Sequence, residues 1–317
     1  MAKSAGSENT TPVDRPLKSQ QEREALRINA VAQSLENNTS GVTSSGTSAI
    51  WLKADNQDFL GIYTPAAKAK TLGTVLILHA EGEHPLWPGA IVNLQNYLPE
   101  KGWATFSIAL PDQTYPDPPP LPTKEELAEH TSTATKGAAK ATVENNSTAK
   151  DANNNQPEKK YNPHSGQLDI ESQAQNRIIA AIRHINDSEK NGIVLYGQGL
   201  GGLRAGAYLT TLNQSGANSV EALKALIIID SPNEISLIGK DGTQAETKKI
   251  YDSFTRQDFP ILDIVTSSSS ENTQQVKRRE NEAKIKGLKK YRQHPVTSSD
   301  GKTFLTSIYG FLKQSIE

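Results

Sequence analysis

The feature that most constrains the fold of this chain is a cluster of glycines that joins an apolar segment to a helical one. Residues 193–196 are apolar, the sequence GQGLGG follows at 197–202, and a helical pattern begins near Leu203. A buried strand can pass into a helix through so short a turn only where Cβ atoms are missing, because the two backbones approach closely. We therefore expect a strand–turn–helix unit at the centre of the fold, with Gly199 at the tip of the turn.

Apolar runs alternate with amphipathic helical patterns along most of the chain, which indicates a mostly parallel sheet with helices on both faces. Two short strands that flank residues 55–57 predict an antiparallel hairpin before this alternation begins. Strands are predicted at 49–53, 59–63, 74–78, 103–110, 193–196, 225–229, 261–265 and 291–296, and helices at 91–97, 168–186, 203–212 and 303–313. The predicted fold class is α/β with an N-terminal antiparallel hairpin.

Local composition divides the chain into an arm and one domain. Residues 1–48 are predicted to be a disordered arm with a short amphipathic helix at about 21–35, and residues 49–317 to be a single domain. Within that domain, residues 113–166 are rich in proline and then in Ala, Thr, Lys and Asn. Such a segment buries too little apolar surface to offset its ordering entropy, so we predict a low-complexity insertion there.

The overall composition excludes several classes of protein. The chain of 317 residues has no cysteine, which excludes disulfides, thiol catalysis and zinc–thiolate sites. Its formal net charge of −1 gives no reason to expect nucleic-acid binding, and no apolar run is long enough to predict a transmembrane segment. The first residues lack the apolar segment of a signal peptide, so we expect a periplasmic protein if such a peptide has been removed and a cytoplasmic one otherwise.

Four segments of the chain resemble the α/β-hydrolase superfamily and, more closely, a bacterial family of unknown function, DUF3530. They read LHAEGEH at 78–84, WPG at 87–89, GWAT at 102–105 and YGQGLGG at 196–202. The resemblance covers about residues 49–317 and implies an α/β-hydrolase-like fold. In that superfamily the glycine turn is the nucleophile elbow, G-x-S-x-G, and the triad follows in the order nucleophile, acid, histidine.

The resemblance implies three catalytic positions, and the chain departs from the pattern in them. The nucleophile position holds Gly199, which has no side chain. The acid position falls at Ser269, which cannot orient an imidazole as a carboxylate does, although Glu271 lies two residues further on. The histidine position is best matched by His294. The triad is therefore predicted to be degenerate.

Two residues near the turn have more than one role open. Asp230, at the carboxyl end of a predicted strand, is either a substitute acid or a cap for the following turn. His79, at the end of the strand before the oxyanion-hole loop, either shapes a pocket opposite Gly199 or hydrogen-bonds to local backbone. The predicted ligand cleft consists of His79, Ala80, Gly197, Gln198, Gly199, Leu200 and Ser231.

Other chemistries fit the motifs less well. A dinucleotide-binding loop would need an acidic ribose partner that the sequence lacks, and the turn follows the third or a later strand of the alternation. The residues His79, Glu81, Glu83 and His84 do not have the H-E-x-x-H spacing, so no metal site and no cofactor are expected. The charge-dense segment 271–292 predicts a solvated helix face or a contact with an acidic polymer, a lipid head group or a partner protein.

Three functions remain open. The first is a pseudoenzyme that binds a small molecule or a protein partner. The second is an active, esterase-like hydrolase with a rearranged site, in which Asp230, Glu271 or His294 supports another nucleophile or an activated water. The third is a structural envelope or assembly factor whose cleft is vestigial.

Overall fold

The computed structural model describes residues 20–37, 46–113, 167–188, 191–215, 223–238, 243–255, 257–266, 270–299 and 301–316. The arm before residue 20 and nearly all of the insertion predicted at 113–166 lie outside these residues, as does Ser269. What the sequence predicts of them stays a prediction.

Ten strands and six α-helices form the described structure. The strands are β1 (Ser48–Ala54), β2 (Gln57–Thr64), β3 (Gly73–Leu78), β4 (Trp103–Ile108), β5 (Ile193–Gln198), β6 (Leu223–Ile229), β7 (Glu234–Ile238), β8 (Gln244–Lys249), β9 (Ile261–Val265) and β10 (Tyr291–Pro295). The helices are α1 (Gln20–Glu36), α2 (Ala90–Lys101), α3 (Gln167–Ser188), α4 (Leu200–Ser215), α5 (Ser270–Ile285) and α6 (Lys302–Ser315).

Eight of the strands form one sheet in the order β1-β2-β4-β3-β5-β6-β9-β10. β2 pairs antiparallel with β1 and β4, and the remaining pairs are parallel. The α/β class, the mostly parallel sheet and the N-terminal hairpin are therefore confirmed. This topology places the glycine turn, which follows β5, at the middle of the sheet.

The two faces of the sheet are covered by different helices, which explains why the central strands are buried and mostly apolar. Ile178 of α3 and Leu209 of α4 belong to the core on one face. Leu94 of α2 and Ile308 of α6 belong to the core on the other face. β3 and β4 are buried at every position, as strands between two helical layers must be.

Helix α1 lies on the sheet and does not stand apart from it. Its Ile28, Val31 and Ala32 are buried against Leu60 and Ile62 of β2. These apolar residues repeat at helical spacing, so one stripe of the helix faces the strand and the rest faces solvent.

The hairpin of β7 and β8 is absent from the predicted elements. Its strands pair antiparallel in a separate two-stranded sheet, and a 3-10 helix at Ile250–Ser253 follows. Most residues of both strands are partly or fully exposed, and β8 reads QAETKK. β7 reads EISLI, an alternation too short to stand out, and β8 has no apolar alternation at all, so periodicity did not predict the hairpin.

A buried ion pair joins α5 to the sheet, so the charge-dense segment 271–292 has one basic residue in the core in addition to its exposed residues. Asp263 of β9 accepts hydrogen bonds from Arg279 Nε at 2.8 Å and Nη2 at 3.0 Å, and both side chains are almost fully buried. The Asp263 carboxylate also accepts hydrogen bonds from Tyr291 at 2.6 Å and from Gln293 at 3.0 Å. Burial and the adjacent carboxylate raise the pKa of Tyr291. Asp263 therefore has the structural role expected of a buried carboxylate, and Arg279 is its counter-ion.

We expect Arg279→Ala to destabilise the protein by about 3–5 kcal/mol, because it leaves the Asp263 carboxylate buried without its cation. The matched control is Lys284→Ala on the same helix, which removes an exposed pair with Glu280 and should change the free energy of unfolding by less than about 1 kcal/mol. Urea unfolding measures both values, and equal effects of the two substitutions would contradict the assignment.

Candidate functional site

Gly199 forms the tip of the turn between β5 and α4. Its φ of +53° lies in the left-handed region, which is costly for residues with a Cβ, and its N–H donates to the carbonyl of Ile229 at 2.8 Å. A Cβ built at position 199 would lie 3.1 Å from the Cβ of Ala80, which is a tight contact with a small side chain. The bent conformation of an elbow is therefore present, and the tip presents backbone only.

The flanking glycines exist because backbones touch there. A Cβ on Gly197 would collide with the Cα of Gly202, and one on Gly201 would collide with the carbonyl of Leu78. A Cβ on Gly202 would overlap the hydroxyl of Ser231. These three glycines seat the first turn of α4 against the ends of neighbouring strands.

The backbone N–H of Ala80 is occupied by a side chain of the same loop. It donates to Glu83 Oε2 at 3.0 Å, and the second carboxylate oxygen accepts a hydrogen bond from Gln198 Nε2 at 3.3 Å. Burial raises the pKa of Glu83, and the bond from Ala80 acts in the opposite direction. In α/β-hydrolases an N–H of this loop helps to form the oxyanion hole. In this chain the Glu83 carboxylate accepts the hydrogen bond from the N–H of Ala80.

His79 is fully used by backbone hydrogen bonds. Its Nε2 accepts from the N–H of Leu110 at 2.9 Å, which leaves the ring proton on Nδ1, where it donates to the carbonyl of Ala80 at 2.7 Å. Burial lowers the pKa of His79 to about 4, so the ring is neutral at pH 7. Of the two roles predicted, the contacts support the backbone role, through which His79 fixes the loop that carries Ala80.

Both carboxylate oxygens of Asp230 form hydrogen bonds within a turn. Its φ is +44°, and its two carboxylate oxygens accept hydrogen bonds from the backbone N–H of Thr266, at 2.8 Å, and from the hydroxyl of the same residue. This arrangement corresponds to the capping role, because Thr266 uses both carboxylate oxygens. Ser231, next in sequence, is buried, and its hydroxyl donates to the carbonyl of Ile229 at 3.3 Å.

His294 is not brought to the tip of the turn. It lies on β10 opposite Ile264, which is opposite Ile229, which in turn is opposite Gln198 on β5. Three strand spacings separate these backbones, roughly 14 Å, which is too far for an imidazole to hydrogen-bond a group at position 199. Glu271 lies in the first turn of α5, but its side chain is outside the described residues, so its role stays a prediction.

Two parts of the site were not predicted from the sequence. Glu83 was considered only as a metal ligand, because nothing local shows that its carboxylate turns back to Ala80. The second part is Arg27 of α1, which pairs with Asp112 at 2.8 Å while Asp112 accepts a hydrogen bond from the N–H of Gly82 at 3.0 Å. These contacts tie helix α1 to the loop that carries Ala80 and Glu83.

The described residues contain neither a metal-binding cluster nor a membrane-spanning helix. Among the described residues, no group of three or more metal-ligating side chains is close enough to hold a metal ion. In the part of the chain that the structure covers, every helix is too short or too polar to span a bilayer.

Comparisons with known proteins give a matching family and similar structures. Residues 1–314 match the family described as "Protein of unknown function (DUF3530)". The structure is similar to an esterase from Pyrococcus furiosus, with a TM-score of 0.53, 9% identity, and coverage of 86% of this chain and 92% of the other. It is also similar to Est1E from Butyrivibrio proteoclasticus, with a TM-score of 0.48, 12% identity, and coverage of 84% and 98%.

At such identities the similarity is one of fold alone. The Pyrococcus structure, whose TM-score exceeds 0.5, carries the conclusion that the fold is that of the α/β-hydrolases. A comparison with curated proteins finds no significant match.

The neutral state of His79 predicts a pH dependence of stability. Its folded-state pKa of about 4 is below the ordinary 6.5, so between these values the unfolded chain binds a proton that the folded chain does not. The contribution of His79 to stability is complete above pH 6.5 and is lost as the pH falls towards 4, by about 3 kcal/mol.

We expect His79→Gln to lack this part of the pH dependence, because a glutamine has an acceptor for the Leu110 N–H and a donor for the Ala80 carbonyl but does not titrate. Urea unfolding of both proteins from pH 4 to pH 7 measures the difference. Parallel stability curves would show that His79 is not buried as a neutral ring.

Proposed function

The chain belongs to the DUF3530 family, and we propose that it is a non-catalytic protein of the α/β-hydrolase fold that acts by binding a small molecule or a protein partner. The observation that carries the proposal is the hydrogen bond from Ala80 N–H to Glu83, beside a turn whose tip is Gly199. Both groups that acyl transfer needs at this place, a nucleophile and a free oxyanion donor, are replaced.

The size of the two losses supports the absence of ordinary triad chemistry. In subtilisin, loss of the catalytic serine lowers kcat by about 10⁶-fold. Loss of one oxyanion-hole donor lowers kcat by a further factor of roughly 10²–10³. A carboxylate at that donor would also repel the negative charge that develops on a tetrahedral intermediate. An enzyme without its triad still exceeds the uncatalysed rate by about 10³–10⁴-fold, so with one donor also lost, activity at this turn would exceed it by at most about 10²-fold.

Two of the other proposed catalytic residues support the same conclusion. Asp230, the possible substitute acid, has both carboxylate oxygens on Thr266, and His294 lies within β10, three strand spacings from β5. The predicted acid position, Ser269, lies outside the described residues.

What lies beside the turn is the Glu83 carboxylate, held in place by Ala80 and Gln198, and a fixed carboxylate of this kind suits the binding of a hydrogen-bond donor. We therefore favour recognition over chemistry for the cleft.

The serine can be restored to test this proposal. Gly199→Ser should fold with a loss of about 1–2 kcal/mol, because position 199 has a positive φ and a close neighbour in Ala80. We expect at most weak hydrolysis of nitrophenyl esters, both in this variant and in Gly199→Ser/Glu83→Ala, in which the Ala80 N–H is freed. Neither variant supplies an acid and a histidine to activate the hydroxyl.

The matched control is Gly199→Ala, which carries the same backbone strain without the hydroxyl. If Gly199→Ser hydrolyses esters more than about 10³-fold faster than this control, the rest of a catalytic machinery is intact and the proposal of a binding protein is wrong.

A further inference from the structure

A groove of about 410 Å³ lies between α1, the β1–β2 hairpin and α3, and it shares no residue with the glycine turn. Its volume falls within the range of small-molecule sites, roughly 300–1,000 Å³. A ligand bound in this groove would be separate from the function proposed for the turn, so the two proposals can be tested independently.

An exposed tryptophan forms one wall of the groove. Trp51 of β1 is 47% exposed, although its neighbours Ile28 and Phe59 in the groove are buried. Phe59 is covered by the guanidinium of Arg177, whose Cζ lies 5.6 Å from the ring centroid. The exposed part of Trp51 is thus the apolar surface that a ligand can cover, while Ile28 and Phe59 are already packed.

Amide side chains surround this aromatic wall. Asn29 of α1, Gln57 of β2 and Gln173 of α3 all line the groove, and Gln173 donates to Gln57. Each amide has both donors and acceptors. Three amides from three elements can therefore bond to hydroxyl groups, which likewise donate and accept.

The cation of the groove has its partners within the protein. Arg177 Nη1 bonds to Glu24 Oε1 at 3.3 Å and to the carbonyl of Ala109 at 3.0 Å. Asp58, which also lines the groove, is exposed, and its carboxylate can accept hydrogen bonds from hydroxyl groups. Among its described lining residues, the groove accordingly offers no isolated positive charge for an anion.

We propose that this groove binds a neutral oligosaccharide, with one sugar ring stacked on Trp51 and its hydroxyl groups bonded by Asn29, Gln57 and Gln173. A sugar ring has an apolar face of C–H groups and a polar edge of hydroxyl groups. That division matches an aromatic wall with a rim of amides and one carboxylate, and the lack of an isolated cation in the lining selects against anionic ligands.

The test uses the full chain and four probes: cellotetraose, tetra-N-acetylchitotetraose, tetragalacturonate as a charged sugar, and choline as an organic cation. Saturation-transfer NMR and tryptophan fluorescence measure binding. We expect at least one of the two neutral sugars to bind with a Kd of about 1 mM or tighter, and the two charged probes to bind at least about tenfold more weakly.

The variant Trp51→Ala should weaken sugar binding by about tenfold, the effect of losing one stacked aromatic ring. Trp87→Ala, which removes another partly exposed tryptophan outside the groove, should leave it unchanged. Gln173→Ala gives a second test, by loss of hydroxyl contacts, that does not alter the aromatic wall. The proposal is overturned if neither neutral sugar binds, if a charged probe binds more tightly than both, or if Trp51→Ala and Trp87→Ala have equal affinity.

Discussion

The close approach of the first turn of α4 to the ends of β3 and β5 is the constraint on which the rest of the site depends. A Cβ on Gly201 would meet the carbonyls of Leu78 and His79, and one on Gly197 would meet the backbone of Gly202. Because α4 packs this closely on the strand ends, Arg204 in its second turn reaches two partners. Its Nη2 lies 2.6 Å from Glu171 Oε1 of α3, and its Nη1 donates to the carbonyl of Pro111 at 2.9 Å. The position of the helix is thus fixed by backbone contact at one end and by a buried ion pair one turn later.

From this fixed turn, a series of polar contacts extends outward to the N-terminal helix. Gln198 and the N–H of Ala80 hold Glu83, and Gly82 next to it bonds to Asp112, the partner of Arg27 on α1. The arrangement explains why a helix that sequence composition assigns to an arm belongs to the packed structure. The loop that carries Ala80 and Glu83 is therefore held from both sides, by Gln198 of the turn and by the Arg27–Asp112 pair of α1.

The sequence predicted the fold well because its signals were local. Apolar runs marked the parallel strands, and the glycine pattern at 197–202 located the turn with its tip at Gly199. Strands β7 and β8 were not predicted in this way, since β7 alternates over only a few residues and its partner β8 is polar and largely exposed.

The site was less predictable because its decisive contacts join distant or unmarked residues. Nothing near Arg279 distinguishes it from the exposed basic residues of α5, and its partner Asp263 is 16 residues away. His294 was selected by its order in the chain, but order does not say how many strands separate two positions. Glu83 carried no motif, and only its side-chain direction reveals that it bonds to Ala80.

The absence of an activated nucleophile is the central claim, and exposure of the unaltered protein to a fluorophosphonate, followed by intact-mass spectrometry, tests it most directly. An active serine esterase treated in parallel shows that the reagent works. We expect the mass of this protein to remain unchanged under conditions that label the esterase completely. A stoichiometric adduct on a single serine or threonine would contradict the claim and would identify a catalytic hydroxyl elsewhere in the cleft.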